Sequence, residues 1–300
     1  MNRNRAVFRF APSPNGELHL GHAFSALIGH DWAKRVGGRF LVRIEDIDKA
    51  RSRDDFVVSI LDDLAWLGIS WEKPVLRQSQ HFADYAAAAQ KLEKMGLLYP
   101  CLATRSEIAM AIAAAASAGK TEQLDPDGVP LYPGLYRGID RAELDTRRAA
   151  GEPSALRLDI EKALTVAAEK LGGRPLTFRQ IDDDGSERIV PANPDRWGDA
   201  VLIRKDTPAS YHLSVVVDDA RQGITHVTRG ADLYAATDLH RLLQVLLDLP
   251  QPIYHHHRLL YGPDGRKLAK STGAPRLKHL RSQGVARAQI REQLGLPAEN

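Results

Sequence analysis

The chain has 300 residues, 43% hydrophobic and 26% charged, enough for a catalytic domain that carries an insertion or a small second domain. Its 41 basic and 38 acidic residues leave a formal charge of +3, which permits a basic surface for RNA without requiring one. No apolar run approaches the roughly 20 residues of a membrane helix, the start MNRNRAVFRFAPSP has no stretch fit for a secretory signal, and the single cysteine, Cys101, excludes an internal disulfide and a complete thiolate zinc cluster, so a cytoplasmic protein without membrane contact is expected.

Residues 6–10 read as a short strand, and APSPNGE as a turn in which Pro12, Pro14 and Gly16 forbid its continuation. From Leu20 the apolar positions Leu20, Phe24, Leu27 and Ile28 recur at helical spacing, with Gly37-Gly38 as the stop. RFLVRIED reads as a second strand. Strand, turn, helix, glycine pair and strand compose a βαβ unit, expected to be right-handed with parallel strands. Helices follow over 52–68, with Phe56, Ile60, Leu64 and Leu67 on one face, and over 81–97.

Residues 101–195 differ in character. They hold the alanine-rich IAMAIAAAASAG, a good helix former, the polar TEQLDPDGVPLYPG, a charged helix around 139–150, and PSALRLDI. Such a block between two strongly patterned halves predicts an insertion on a doubly wound sheet. Pattern resumes with DAVLIRKD, YHLSVVVDD and ITHVTRG, read as short strands, then a helix in ADLYAATDLHRLLQVLLDL and a strand in PIYHHHRLLY. The last forty residues begin as a Gly/Pro-rich loop and finish as one or two helices. The fold class expected is α/β: a doubly wound parallel sheet, an inserted α+β subdomain and a short helical C-terminal segment.

Two stretches carry chemistry. In ELHLGHA, His19 and His22 lie three residues apart at a helix start, whose free N–H groups and positive dipole end attract anions. Gly21 between them lacks a Cβ and lets a flat group such as adenine reach the backbone. The turn suits a nucleotide phosphate, although histidines at a helix start need no ligand. The second stretch is RKLAKS, Arg266 to Ser271, between Gly262, Pro263, Gly265 and Gly273. Lys267 and Lys270 on a glycine-hinged loop can clamp a leaving pyrophosphate, and a plain basic surface loop would look the same.

Together, FAPSPNGELHLGH near the start and KLAKS near the end resemble the class I aminoacyl-tRNA synthetases: His19 to His22 match the HIGH signature, and Lys267 to Ser271 match KMSKS with Leu and Ala in its second and third places. RFAPSPNGELHLGHA, RIEDID, YHLSVVVDD and HVTRGADL further resemble the glutamyl subgroup. The resemblance implies a Rossmann-type catalytic domain in two halves, 1–100 and 196–260, an inserted acceptor- or zinc-region equivalent at 101–195, and the KMSKS-type loop with C-terminal helices at 261–300. Full glutamyl-tRNA synthetases continue well beyond that loop into a helical anticodon domain, whereas only about thirty residues remain here. No anticodon-binding domain is therefore expected, and the chain resembles the truncated paralogues that activate L-glutamate without tRNA and attach it to the queuosine base of tRNA(Asp). The alternatives are a truncated enzyme that charges tRNA(Glu) and a non-catalytic RNA-binding relative.

The resemblance assigns ATP with Mg²⁺ to His19, Gly21, His22, Lys267, Lys270 and Ser271, the two histidines and two lysines being catalytic. A glutamate site must neutralise two carboxylates and one ammonium. Arg9 and Arg229 would hold carboxylates in bidentate fashion, Glu45 would accept from the amino group, and Tyr211 matches a glutamate-contacting tyrosine. Phe10, Ala11, Pro12 and Ser13 would complete the wall. Asp46 and Asp48 compete with Glu45, with helix capping as their other role. All these positions are expected at C-terminal strand ends or just after them, where open α/β sheets place ligands.

Many relatives carry a zinc site built from C-x-C and a later tyrosine and cysteine four apart. Here Cys101 and Tyr132 remain, while Ala103 and Tyr136 stand at the other two positions, so no metal is expected and packing within the insertion should replace it. His255, His256 and His257 cannot converge on one ion, because alternate strand residues point to opposite faces. The basic tail suits either a phosphate backbone or solvent. A monomer is expected.

Overall fold

The computed structural model describes residues 5–298 except 120, 263–264, 266–267 and 269–274, so Lys267, Lys270 and Ser271 lie outside the described residues. The expected βαβ unit is present: strand β1 is Val7–Phe10, helix α1 Leu20–Arg35 and strand β2 Arg39–Ile44, with β1 and β2 parallel from Val7 against Arg39 to Phe10 against Val42. Helix α1 packs so closely that a Cβ on Gly29 would fall 2.6 Å from Thr228 Oγ1, and only glycine permits that approach. After α2, Asp54–Trp66, strand β3, Glu72–Arg77, pairs with β2 at the sheet edge, where the missing N–H of Pro74 is tolerated. Helix α3, Phe82–Lys94, follows.

Next come β4 (Leu98–Cys101), α4 (Arg105–Ser117), α5 (Arg141–Ala149), β5 (Ala155–Leu158), α6 (Ile160–Lys170), β6 (Thr177–Ile181), β7 (Glu187–Pro191) and β8 (Val201–Ile203). Strands β4, β5 and β8 form a separate antiparallel sheet. Helix α4 begins with a capping box between Thr104 and Glu107 and buries none of its residues, so local capping and alanine propensity sustain it. The chain continues through α7 (Tyr211–Arg221), β9 (His226–Gly230), α8 (Ala236–Leu247) and β10 (Ile253–His257) to α9 (Leu277–Ser282) and α10 (Arg287–Gln293).

Strands β7, β6, β10 and β9 lie in that order in one sheet, and β9 runs beside β1, where Thr225 N–H donates to the Val7 carbonyl at 3.0 Å. The central order is thus β3-β2-β1-β9-β10-β6-β7, which reverses direction of travel between β1 and β9. That reversal opens a crevice at the C-terminal strand ends.

Two expectations need correction. The sequence pattern puts 177–191 in the insertion, yet β6 pairs in parallel with β10 and β7 closes a hairpin on β6; the hairpin covers what would otherwise be an open edge at β10 of the central sheet. YHLSVVVDD is helix α7 rather than a strand. The Ser210 side chain accepts from Leu213 N–H to start it, and Leu213, Val215 and Val216 bury in the main core with residues of α3 and α8, so tertiary packing overrides the β preference of three consecutive valines.

The last helices belong to the first half of the molecule. Leu277, Ile290 and Leu294 are buried in the cluster built by α1, β2 and α2, each contributing about 1.5–3 kcal/mol by removal from water. Arg291 pairs with Asp31 of α1 at 2.5 Å.

Candidate active site

Strand β1 ends by delivering Arg9 and Phe10, and Ala11, Pro12 and Ser13 follow in the turn; β9 ends by delivering Arg229; β2 ends just before Glu45; α7 begins with Tyr211. All eight, together with His19, Gly21 and His22, line one cleft of about 690 Å³ over the crevice. Every described residue that the resemblance assigns to ATP or glutamate therefore lines this cleft, and the competitors of Glu45 do not. Leu268, inside the second signature, lines the same cleft, and its carbonyl oxygen lies 3.7 Å from where a Gly21 Cβ would stand. Downstream of the loop, Leu277 N–H donates to the Leu18 carbonyl at 2.9 Å and Arg276 pairs with Glu17 at 3.1 Å, so the two ends of the chain are joined at the signature turn.

The paired histidines have a local cause. His19 Nδ1 accepts from Gly21 N–H at 3.1 Å and His22 Nδ1 accepts from His19 N–H at 3.2 Å, a capping box made from imidazoles. Their rings lie 3.8 Å apart between centroids. The same residues thus begin the helix and line the cleft. His19→Asn should retain the cap and the melting temperature, whereas His19→Ala should lower the stability by about 1 kcal/mol; thermal melts of the two variants check this.

The two arginines sit in opposite electrostatic settings. Arg9 donates through Nε to Asp219 at 3.1 Å, and Arg43, wholly buried beneath it, donates to Asp219 at 2.7 Å, to Glu45 at 3.2 Å and to Gln222 at 3.0 Å. Burial works against charge on Asp219, but Arg9 and Arg43 outweigh it and hold the carboxylate below its ordinary range. Glu45 is pushed up, because its burial exceeds the help of Arg43 and Arg9. Asp218 is also pushed up by burial, although Gln78 and Tyr85 donate to it at 2.7 and 2.9 Å.

Arg229 has no carboxylate within ion-pair distance among the described residues. It donates to Thr237 Oγ1 at 2.6 Å, His240 Nδ1 at 3.2 Å and His256 Nε2 at 3.3 Å, and its Nη1 lies 3.5 Å from the Tyr211 hydroxyl. Only 4% exposed, it is a buried cation that faces the cleft with neutral partners behind it.

Asp46 and Asp48 do not share the site. Asp46 accepts from Ser79 N–H and Arg77, bracing the end of β3, and Asp48 closes a turn onto Arg51; neither caps α2. Sequence reasoning missed Arg43, Asp219, Thr237, His240 and His256. Arg43 carried a signal, since it stands two positions before Glu45 on a strand and so shares its face.

At the altered metal position, Cys101 Sγ lies 3.3 Å from the Tyr132 hydroxyl, which also accepts from Tyr136 N–H at 2.9 Å. The Arg157 guanidinium stacks on the Tyr132 ring at 3.8 Å. One thiol, one phenol whose proton burial retains and an adjacent cation do not fit a structural zinc. The three histidines of β10 alternate as expected: the rings of His255 and His257 pack on Trp32 and Phe24 of α1, while that of His256 faces Tyr234 and Thr237.

A mostly parallel sheet, a cleft at its switch point and the histidine-bearing helix start with Leu268 beside it fit a class I synthetase catalytic domain, and residues 5–297 match the family model described as tRNA synthetases class I (E and Q), catalytic domain. The chain belongs to this family and is a ligase of the aminoacyl-tRNA synthetase type. It is 45% identical to the glutamyl-Q tRNA(Asp) synthetase of Rhodobacter capsulatus over 97% of this chain and 100% of the relative, and 39% identical to that of Symbiobacterium thermophilum over 93% and 82%. Glutamate–tRNA ligase 2 of Nitrosococcus oceani is 35% identical over 95% of this chain but 57% of its own length. A glutamate tRNA ligase from Elizabethkingia meningosepticum, solved in complex with its amino acid, superposes with TM-score 0.71 at 25% identity, covering 91% of this chain and 54% of the ligase; the chain spans about half the length of that solved structure.

Proposed function

We propose that the protein activates L-glutamate with ATP to glutamyl-adenylate in the absence of tRNA, then transfers the glutamyl group to the queuosine base of tRNA(Asp). The observation that carries the reading is the gathering of two arginines, a buried carboxylate and a tyrosine beside the histidine-capped helix start in one cleft. Arg9 and Arg229 supply the charge for two carboxylates, Glu45 accepts from the ammonium, and Tyr211 closes the wall. The α-carboxylate attacks the α-phosphorus in line and pyrophosphate leaves. His19, Gly21 and His22 position the nucleotide; Lys267, Lys270 and Ser271 are assigned to the leaving phosphates by their match to the second signature. Catalysis rests on positioning and charge stabilisation with no covalent protein nucleophile. Mg²⁺ accompanies the nucleotide, held by phosphates and water.

The relatives of matching length carry the name glutamyl-Q tRNA(Asp) synthetase, and one is covered over its whole length, which supports the RNA substrate chosen. Exchange assays with labelled pyrophosphate and each amino acid, without RNA, should respond to glutamate. Labelled glutamate should then pass to tRNA(Asp) that contains queuosine and not to tRNA(Asp) that lacks it. Exchange that requires tRNA(Glu), with charging of tRNA(Glu), would establish the other reading.

A pH effect follows from Glu45. A carboxyl pushed up by burial becomes neutral at milder acidity than usual and then cannot pair with the substrate ammonium. KM for glutamate should therefore begin to rise on acidification before an ordinary carboxyl would protonate, and Glu45→Gln should show a high KM that lacks this rise, as measured by exchange kinetics across the acid range.

A further inference from the structure

We propose that Thr237, His240 and His256 are the residues that set charge selectivity: they hold Arg229 by neutral acceptors alone, so that its counter-ion has to come from the side-chain carboxylate of the amino acid, and a neutral amide is rejected. The inference rests on the glutamate reading above and names how that site tells the acid from glutamine.

The hydrogen bonds fix the protons. His240 Nδ1 accepts from Arg229 Nη1, so its proton is on Nε2, which faces His212 Nδ1 at 3.2 Å. His256 Nε2 lies 3.3 Å from Arg229 Nε and 3.0 Å from the Thr237 hydroxyl, so its proton is on Nδ1 and goes to Gln180 Oε1 at 3.1 Å. Thr237 accepts from Arg229 Nη2 at 2.6 Å and passes its own proton to His256. Four contacts engage a guanidinium that has five N–H groups, which leaves an N–H of Nη2 unassigned in a residue that lines the cleft. Neither imidazole can gain a second proton without setting N–H against N–H. Burial, and next the charge of Arg229, push His256 down to about 2 and His240 well below its ordinary value.

Across the cleft Arg9 already has Asp219 as partner. A carboxylate behind Arg229 would satisfy the same N–H groups but cancel the charge, and a neutral ligand side chain would then be welcome. Imidazole and hydroxyl acceptors satisfy the donors and leave the charge in place. A buried cation of this kind penalises any ligand that does not bring a negative group, and that penalty discriminates.

The test compares His240→Asp with His240→Asn by ATP–pyrophosphate exchange with glutamate and with glutamine, reported as the ratio of the two kcat/KM values. His240→Asp should lower the ratio at least tenfold, mainly through KM for glutamate, while His240→Asn should stay within about threefold of the parent. Thr237→Asp, which places the carboxylate at Nη2, is read in the same way. An unchanged ratio in a folded aspartate variant, or equal loss in both His240 variants, overturns the proposal. Nitrogen-15 spectra of the unmodified protein decide it independently of any variant. Neutral rings of opposite tautomer at His240 and His256 down to pH 6 support it, and an imidazolium at either position overturns it. A parent protein that shows no preference for glutamate would reject the glutamate reading itself, a different outcome from a preference that survives His240→Asp.

Discussion

Arg229→Leu is expected to lower kcat/KM for glutamate-dependent pyrophosphate exchange by a factor of about 10² to 10³. Removing one partner of a buried, hydrogen-bonded charge pair costs about 2–5 kcal/mol, and on the proposed function the partner left behind is the substrate carboxylate beside the buried position of Arg229. Thr237, His240 and His256 lose a donor as well, which raises the cost. Because the contact holds the amino acid before and during the reaction alike, the change should appear chiefly in KM for glutamate, with kcat less affected. Steady-state exchange at several glutamate concentrations measures the division. An equal fall in kcat at saturating glutamate would instead assign Arg229 to the reacting centre.

The largest stability effect should come from Arg43→Met. Arg43 is fully buried and joins Asp219 at 2.7 Å, Glu45 at 3.2 Å and Asp218 at 3.9 Å. Its removal leaves carboxylates buried near one another with only Arg9 in reach of Asp219. Breaking such a buried arrangement costs about 3–5 kcal/mol, a large part of the roughly 5–15 kcal/mol that stabilises a domain. The sign of the pH dependence follows from Asp219. Its folded pKa is depressed, so its contribution is present above the unfolded carboxylate value and is lost as pH falls through the folded one. In the variant that pKa rises, the carboxyls can take up protons, and the deficit should shrink as pH is lowered from 8 to 5. Urea titrations of both proteins at the two pH values check this.

What could be read from the residues, and what could not, divides by range. The signature turn, the βαβ unit and the strand ends that bear Arg9, Glu45 and Arg229 are local: glycines, prolines and periodicity mark them within a dozen positions. Tyr211 is legible from its match to the family pattern although its element is not, because three valines favour a strand when nothing local shows that Val215 and Val216 pack against α3 and α8. The hairpin of β6 and β7 reads as part of the insertion, since only the partner strand β10, some 70 residues later, makes it part of the central sheet. The ion network around Arg43 and the imidazoles behind Arg229 were invisible for the same reason. A histidine on an apolar helix face reads as core until the arginine opposite it is known.

The joining of the signature turn to α9 has a consequence for how the molecule comes into being. Glu17 and Arg276 are 259 positions apart, and closing a loop of that length costs about 5 kcal/mol of chain entropy beyond a constant. During synthesis the amino-terminal strand and helix emerge long before the segment that bears Arg276 and Leu277 exists, so the turn that begins α1 gains these contacts only after some 260 further residues have been made.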